Sequence, residues 1–213
     1  LVLYAGRPYT LEQDINKVNA FMFSFGGGEQ SGNAFANLIF GDKSPSAKLS
    51  VSFPKSVGHI PCYYNYKPSA RGTLYRQHGS VEKPGRDYVL SSPNAWYEFG
   101  YGLSYTTLNY SNLIAQKMEN GNVKVIVDVE NIGDYDIYES VLLFVKALYA
   151  PVTPFVKRLR NFTKVYLKSG EKKKVEFILT AEDFTYVDLE FKTTVLNGEY
   201  KILIDSLECD LEY

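Results

Sequence analysis

The sequence predicts an α/β fragment, the tail of an α/β domain, followed by an all-β sandwich. Three observations carry this. The first 60 residues mix short continuous apolar runs with one stretch of helical period. From about residue 107 the pattern changes to strict alternation, with turn signals about every 8–15 residues. The 213 residues are 45% hydrophobic and 22% charged, with 18 Tyr and 13 Phe, a composition that suits a folded, sheet-rich chain.

The elements follow in order. "LVLYA" (Leu1 to Ala5) is a continuous apolar run, fit for a strand buried on both faces. It opens the sequence without Met, which predicts a fragment, since a strand edge left at a terminus lies open. "VNAFMFSF" (Val18 to Phe25) is a second such run. In "GGGEQSGNAFANLIFG" the positions Ala34, Phe35, Leu38 and Ile39 have helical spacing, and Gly41, Asp42 and Pro45 end the helix. Glu29 stands at the helix start, where a negative charge meets the positive end of the helix dipole. The stretch lacks the Lys-Ser/Thr of a phosphate-binding loop, so its glycines are read as allowing a sharp turn and close packing. "AKLSVSFP" predicts one more short strand, and residues 1–60 together are too small to stand alone.

Residues 61–106 read as an inter-domain connector, rich in Pro, Gly and Tyr, since a long structureless stretch inside a domain is unusual. In 107–213, "NVKVIVDVEN" sets Val123, Val125, Val127 and Val129 on one face against Lys124 and Asp128. "NIGD" (Asn131 to Asp134) is a turn. "ESVLLFVKAL" turns Val141, Leu143 and Val145 inward, with Leu142 and Phe144 apolar on the opposite face, the mark of a sheet covered by another domain. Val175, Phe177 and Leu179 face inward after the Ser169-Gly170 turn, and Asn197-Gly198 introduces the last strand region. Lys172, Lys173 and Lys174 suit a strand edge that must not pair.

The net charge of −1 offers no basic excess for nucleic acid and no polybasic patch for an anionic membrane. No apolar run approaches the ~20 residues that span a bilayer. His59 and His78 lack the partners and spacing of a zinc site, and both read as loop residues. Cys62 and Cys209 lie in different parts of the chain, and no pairing follows from spacing. Asp134 and Asp136 read as a solvated turn, and Glu98 as a solvated connector residue. No metal and no cofactor are called for.

"GGGEQSGNAFANLIFGDKSPSAKLSVSFPKSVGHIPCYYNYKPSARG" and "WYEFGYGLSYTTLNYSNL" resemble the family 3 glycoside hydrolases, which include β-glucosidases and β-xylosidases. "DVENIGDYDIYESVLLFV", "TPFVKRLRNFTKVYLKSGEKKKVEFIL" and "AEDFTYVD" resemble, in order, the fibronectin type III-like (immunoglobulin-like) sandwich of that family. Ser31, Ala47, Ser50 and His59 depart from the family pattern. The resemblance implies a retaining hydrolase of terminal β-D-glucosyl or β-D-xylosyl residues. Its nucleophile Asp would lie on a separate barrel and its acid/base Glu earlier in the sandwich, and retention needs the two about 5–5.5 Å apart. Neither motif occurs here. No catalytic residue is therefore assigned, and the 213 residues are expected to be inactive alone, reaching substrate through the missing catalytic domain and docking on the barrel and sandwich domains. In the connector, Tyr64, Lys67, Arg71 and Trp96 are the candidate substrate-binding residues, beside Tyr63 and Tyr66. Aromatic faces and planar donors suit a sugar, and half-buried tyrosines equally suit junction packing. The alternative function is a non-catalytic carbohydrate-binding module or a degenerate relative.

Overall fold

The computed structural model describes residues 1–68 and 94–213, and the chain gathers into two compact units. The first comprises Leu1–Lys43, Lys48–Tyr64 and, among the described residues, 94–102. The apolar runs give β1 (Val2–Tyr4) and β2 (Met22–Ser24), paired parallel with Val2 opposite Met22. A single turn of helix, α1 (Glu12–Ile15), lies between them in sequence, too short to carry a periodic signature. β1 was expected to be buried on both faces, yet Val2 is 37% and Tyr4 47% exposed. Its sheet holds two strands among the described residues, too few to cover it.

The glycine stretch leads into α2 (Ser31–Ile39), whose N-cap is Gln30. Of the expected apolar stripe, Phe35 and Leu38 are half-buried, while Ala34 and Ile39 stand open. Phe35 packs edge-on against Tyr4 at 4.8 Å. Gly27 makes this approach possible: a Cβ there would lie 2.4 Å from Ser31 Cβ and 3.1 Å from the Tyr4 ring. Gly41, at φ 80°, closes the helix in the left-handed conformation that only glycine adopts without cost.

"AKLSVSFP" does not form the expected regular strand. It runs extended and antiparallel to residues 96–101, with only Phe53 and Tyr97 forming a bridge. Phe53 N–H donates to the Tyr97 carbonyl at 2.8 Å, Trp96 N–H to the Phe53 carbonyl at 2.8 Å, and Leu49 N–H to the Tyr101 carbonyl at 2.8 Å. Phe53, 1% exposed, is the centre of an aromatic core, with Phe23 edge-on at 4.8 Å.

The second unit comprises Ser44–Ala47, Asn65–Pro68 and Leu103–Tyr213. Its strands are β3 (Leu108–Lys117), β4 (Val123–Asn131), β5 (Ile137–Ala147), β6 (Arg158–Leu167), β7 (Lys172–Leu179), β8 (Thr185–Val187), β9 (Thr193–Val195), β10 (Glu199–Ile204) and β11 (Leu207–Glu212). One sheet has the order β11-β10-β5-β6 and the other β3-β4-β7, and β8 and β9 form a separate hairpin. All neighbours in these sheets are antiparallel. The alternation read from the sequence holds: Val123, Val125, Val127, Val129, Val141, Leu143 and Leu179 are each 0% exposed. Burying such a side chain contributes roughly 1.5–3 kcal/mol, and here both sheets commit their inner faces to one core.

Polar side chains are also built into this sandwich. Asn131, 0% exposed, sits at the head of the "NIGD" turn, where its Oδ1 accepts from Thr106 Oγ1 and from Gly133 N–H at 3.2 Å, and its Nδ2 donates to the Tyr135 carbonyl at 2.7 Å. Glu139, 3% exposed, accepts from the Tyr110 hydroxyl at 2.8 Å, joining the two sheets. The expected edge lysines do lie on the edge strand β7, and Lys173 also reaches the Tyr166 carbonyl of the opposite sheet at 2.6 Å. The Tyr213 ring stacks on Phe184 at 3.9 Å, and Lys117 Nζ lies 4.6 Å from the Tyr213 ring centre.

On the outer face of β5, Phe144, read as one of the apolar pair of a sheet covered by another domain, is 8% exposed, with Lys157 Nζ of its own unit 4.8 Å from its ring centre. The exposed aromatics of that face are Tyr138 (56%) and Phe162 (67%), the latter opposite Leu142.

Candidate functional site

The connector candidates fall in both units. Tyr64 and Trp96 belong to the first. Tyr64 stacks on Phe99 with centroids 4.3 Å apart. Trp96 lies against Tyr97 at 4.9 Å, and Tyr97 against Tyr101 at 5.0 Å. The ladder of residues 96–101 on residues 49–53 holds these rings in series, because their backbones are bonded to a segment anchored by Phe53. Burial, and secondarily the neighbouring Tyr101, push the Tyr97 hydroxyl above its usual pKa, so it stays a neutral donor. Tyr63, 66% exposed, projects from the same stretch.

Lys67 belongs instead to the second unit. Val156 N–H donates to the Tyr66 carbonyl at 3.0 Å, which seats Lys67 with its Nζ 5.3 Å from the centre of the Phe155 ring. There Lys67 lines a cleft of about 400 Å³ together with Arg158, Arg160 and Asp183. Nothing in the sequence reading pointed to Arg158 and Arg160. The available signal was their two-residue spacing at the start of a strand, the period that places side chains on one face. Arg71 and His78 lie outside the described residues.

The carboxylates weighed for chemistry have structural surroundings. Glu29 is exposed and precedes the N-cap Gln30, with no acidic residue in the first turn of α2, so it does not cap the helix. Glu98 is exposed. Asp136 is more than a solvated turn residue: it accepts from the Tyr166 hydroxyl at 2.6 Å and from Ser169 N–H at 3.0 Å. His59 is a loop residue, as read, but a buried one at 4% exposure, where its Nδ1 accepts from Lys55 N–H at 3.4 Å. Burial raises the Cys209 thiol above its usual pKa, the opposite of what activates a nucleophile. Among the described residues no cluster of three or more His, Cys, Asp or Glu is placed to hold a metal ion.

Comparison with known proteins covers both units. Residues 1–105 match the family model for the glycosyl hydrolase family 3 C-terminal domain, and residues 139–207 that for the fibronectin type III-like domain. The chain is 33% identical to a periplasmic beta-glucosidase of Salmonella typhimurium over 96% of its own length and 27% of the relative's. It is 32% identical to a beta-xylosidase of Formosa agariphila, again over 96% of this chain and 27% of that one. A crystal structure of beta-glucosidase from Listeria innocua superposes with a TM-score of 0.90 at 28% identity, covering 99% of this chain and 30% of that one. The chain thus spans about a quarter of the length of the curated relatives it matches. Matched in both parts and along nearly its whole length, it belongs to glycosyl hydrolase family 3, of which it carries the C-terminal domain followed by the fibronectin type III-like domain.

Proposed function

We propose that this chain is the supporting C-terminal segment of a retaining β-glycosidase that removes terminal non-reducing β-D-glucosyl or β-D-xylosyl residues. The observation that carries the reading is the match of 96% of the chain to proteins named beta-glucosidase and beta-xylosidase, of which it spans 27%. In the proposed whole, residues 1–60 complete an α/β sandwich, 61–106 connect, and 107–213 form the fibronectin type III-like domain. The nucleophile Asp and acid/base Glu belong to the part outside this segment. The sandwich docks on the catalytic domains and stabilises them. Its exposed Tyr138 and Phe162, on a face that also carries Leu142 and Phe144, support that role, since exposed apolar surface gathered on one face marks an interaction surface. Among the connector candidates, the rings of Tyr64 and Trp96 are those proposed to face the glycoside. Arg71 joins them on sequence alone, and Lys67 is committed to Phe155 of the other unit.

The test compares the whole protein, the whole protein lacking residues 107–213, and the 213 residues alone on 4-nitrophenyl β-D-glucoside and β-D-xyloside. The expected result is hydrolysis with retention by the first, a lower melting temperature and lower activity for the second, and no hydrolysis by the third. Undiminished stability and activity after the deletion would remove the docking role. Glycoside binding by the 213 residues, with no hydrolysis by the whole protein, would favour the carbohydrate-binding alternative.

A further inference from the structure

Two Asn-Gly dipeptides, Asn120-Gly121 and Asn197-Gly198, stand in the second unit. Asparagine before glycine is chemically labile. The glycine nitrogen, with no Cβ beside it, has open access to the amide carbon of the preceding side chain. The fold places the two dipeptides in opposite situations.

Asn120 is exposed at the turn that joins β3 to β4. Met118 N–H donates to the Asn122 carbonyl at 2.7 Å, and Gly121 N–H to the Met118 carbonyl at 3.0 Å. Both bonds are local to the tip of a hairpin, where opening costs least. Nothing lies within 4 Å of the place a Gly121 Cβ would occupy, so no neighbour crowds the turn there. Asn120 Oδ1 accepts from Asn122 N–H at 3.1 Å. The ring closed by that bond runs through the Gly121 nitrogen, so nucleophile and amide carbon share one turn. The same N–H donates to the oxygen that gathers negative charge when the carbon is attacked, the arrangement that stabilises a tetrahedral intermediate.

Asn197 is exposed too, but its glycine is bound into a ladder. Gly198 N–H donates to the Tyr213 carbonyl at 3.1 Å, and Tyr213 N–H returns a bond to the Gly198 carbonyl at 3.0 Å. This pair continues the β10–β11 register, in which Glu199 lies opposite Glu212. Tyr213 is fixed in turn by its stack on Phe184 at 3.9 Å, and Phe184 is 1% exposed. Freeing the Gly198 nitrogen therefore means peeling back the end of a core sheet.

We propose that Asn120 is a site of spontaneous deamidation, and that the fold directs the reaction there rather than to Asn197. The Gly121 nitrogen bonds to Asn120 Cγ and gives up its proton, the Cγ–Nδ2 bond breaks, and ammonia leaves. The resulting succinimide takes up one water. It opens at Cγ to aspartate or at the main-chain carbonyl to isoaspartate. Water is the only co-reactant. Either product adds a negative charge beside Glu119. The isoaspartate also routes the main chain through Cβ and Cγ, which lengthens the turn that sets Lys117 opposite Val123.

The test incubates the 213-residue chain at mildly alkaline pH, folded and in urea. It follows the tryptic peptides Met118–Lys124 and Thr193–Lys201 by chromatography and mass spectrometry, with fragment spectra separating Asn120 from Asn122. In urea Asn120 and Asn197 should react at like rates, since the dipeptide alone then decides. In the folded chain Asn120 should convert at least about tenfold faster than Asn197, the factor that about 1.4 kcal/mol of protection gives. Deleting Tyr213 should raise the folded Asn197 rate and leave that of Asn120 unchanged. Should the deletion fail to fold by circular dichroism, the comparison of folded and urea rates still decides. Equal rates in the folded chain, a folded ratio no greater than that in urea, or an intact Asn120 after the unfolded chain has reacted would each overturn the assignment.

Discussion

Replacing Asn131 with alanine should be among the most damaging single changes in the second unit. The side chain is 0% exposed and has four partners around it: Thr106 Oγ1, Gly133 N–H at 3.2 Å, the Tyr135 carbonyl at 2.7 Å and, more distantly, the Leu167 carbonyl at 3.5 Å. Asn131→Ala strands the three nearer ones at once. A polar group left unsatisfied costs ~1–3 kcal/mol when buried, but Gly133 and Thr106 are only half-buried and Tyr135 is exposed, so water can reach part of the site. Taking the low end for each gives a loss of roughly 3 kcal/mol, a large share of the ~5–15 kcal/mol that holds a domain together. Asn131→Asp should be no milder: it keeps the acceptor atom but loses the donor to Tyr135 and places a charge where there is no solvent. The assay is urea unfolding of the 213-residue chain followed by far-ultraviolet circular dichroism. Fluorescence is the wrong probe, because the single tryptophan, Trp96, lies in the first unit. A lower midpoint with unchanged slope is expected. Combining the variant with Thr106→Val should show coupling above ~0.5 kcal/mol. A loss below ~1 kcal/mol with no coupling would refute the view that Asn131 organises the turn.

In the first unit, Gly27→Ala forces a Cβ to within 2.4 Å of Ser31 Cβ and should cost ~1–3 kcal/mol by overpacking. Gly32→Ala, inside α2 with nothing within 4 Å of the new Cβ, should instead gain about 0.8–1 kcal/mol of helix propensity. Trp96 fluorescence in urea separates the two, and a shared sign would sink the steric account of the glycine stretch. The pH dependence should be two-sided. Asp128, held down chiefly by the Asn112 and Lys172 hydrogen bonds, and Asp188, held down chiefly by Lys192 N–H, fall below their ordinary 3.8. Their stabilisation is present above that value and is lost as pH drops through the lowered folded-state pKa values. Tyr110, raised by burial and by Glu139 above its ordinary 10.0, works in the other direction: its contribution is intact below 10.0 and is lost as pH climbs toward the folded-state value. Melting temperature against pH should therefore be flat through neutrality and fall on both sides; Asp188→Asn should soften the acid limb, and an unchanged acid limb would contradict the assignment.

The sandwich was legible because period-two alternation and a single core face are the same fact seen twice. Val123 to Val129 could only be arranged one way. The failures have equally local causes. Phe144 is read as covered by another domain, and the alternation cannot show that Lys157, from the following connection, meets its ring. Glu139 enters the core where Tyr110, on another strand, meets it, a pairing that lies outside the alternation of either strand. The pairing of residues 49–53 with 96–101 joins segments separated by a Pro- and Gly-rich stretch, and only one residue pair forms a bridge, so the apolar run alone suggested an ordinary strand. For the candidate site, Tyr64 and Trp96 were visible as aromatics in a connector. The arginine cleft was not, because its members come from four separated stretches that only the fold assembles.

The strand order also fixes a timetable. β5 sits between β6, which follows it closely, and β10, which arrives almost at the end: Ala147 waits for Tyr200. β11, synthesised last, packs beside β3, the first strand of the second unit to be made. During translation, the half-built sheet therefore carries Val141, Leu143 and Val145 on a strand with one bare edge, the form most open to pairing with a neighbouring chain. A nascent chain stalled before residue 199 should be a client for chaperones in a way that the finished protein is not.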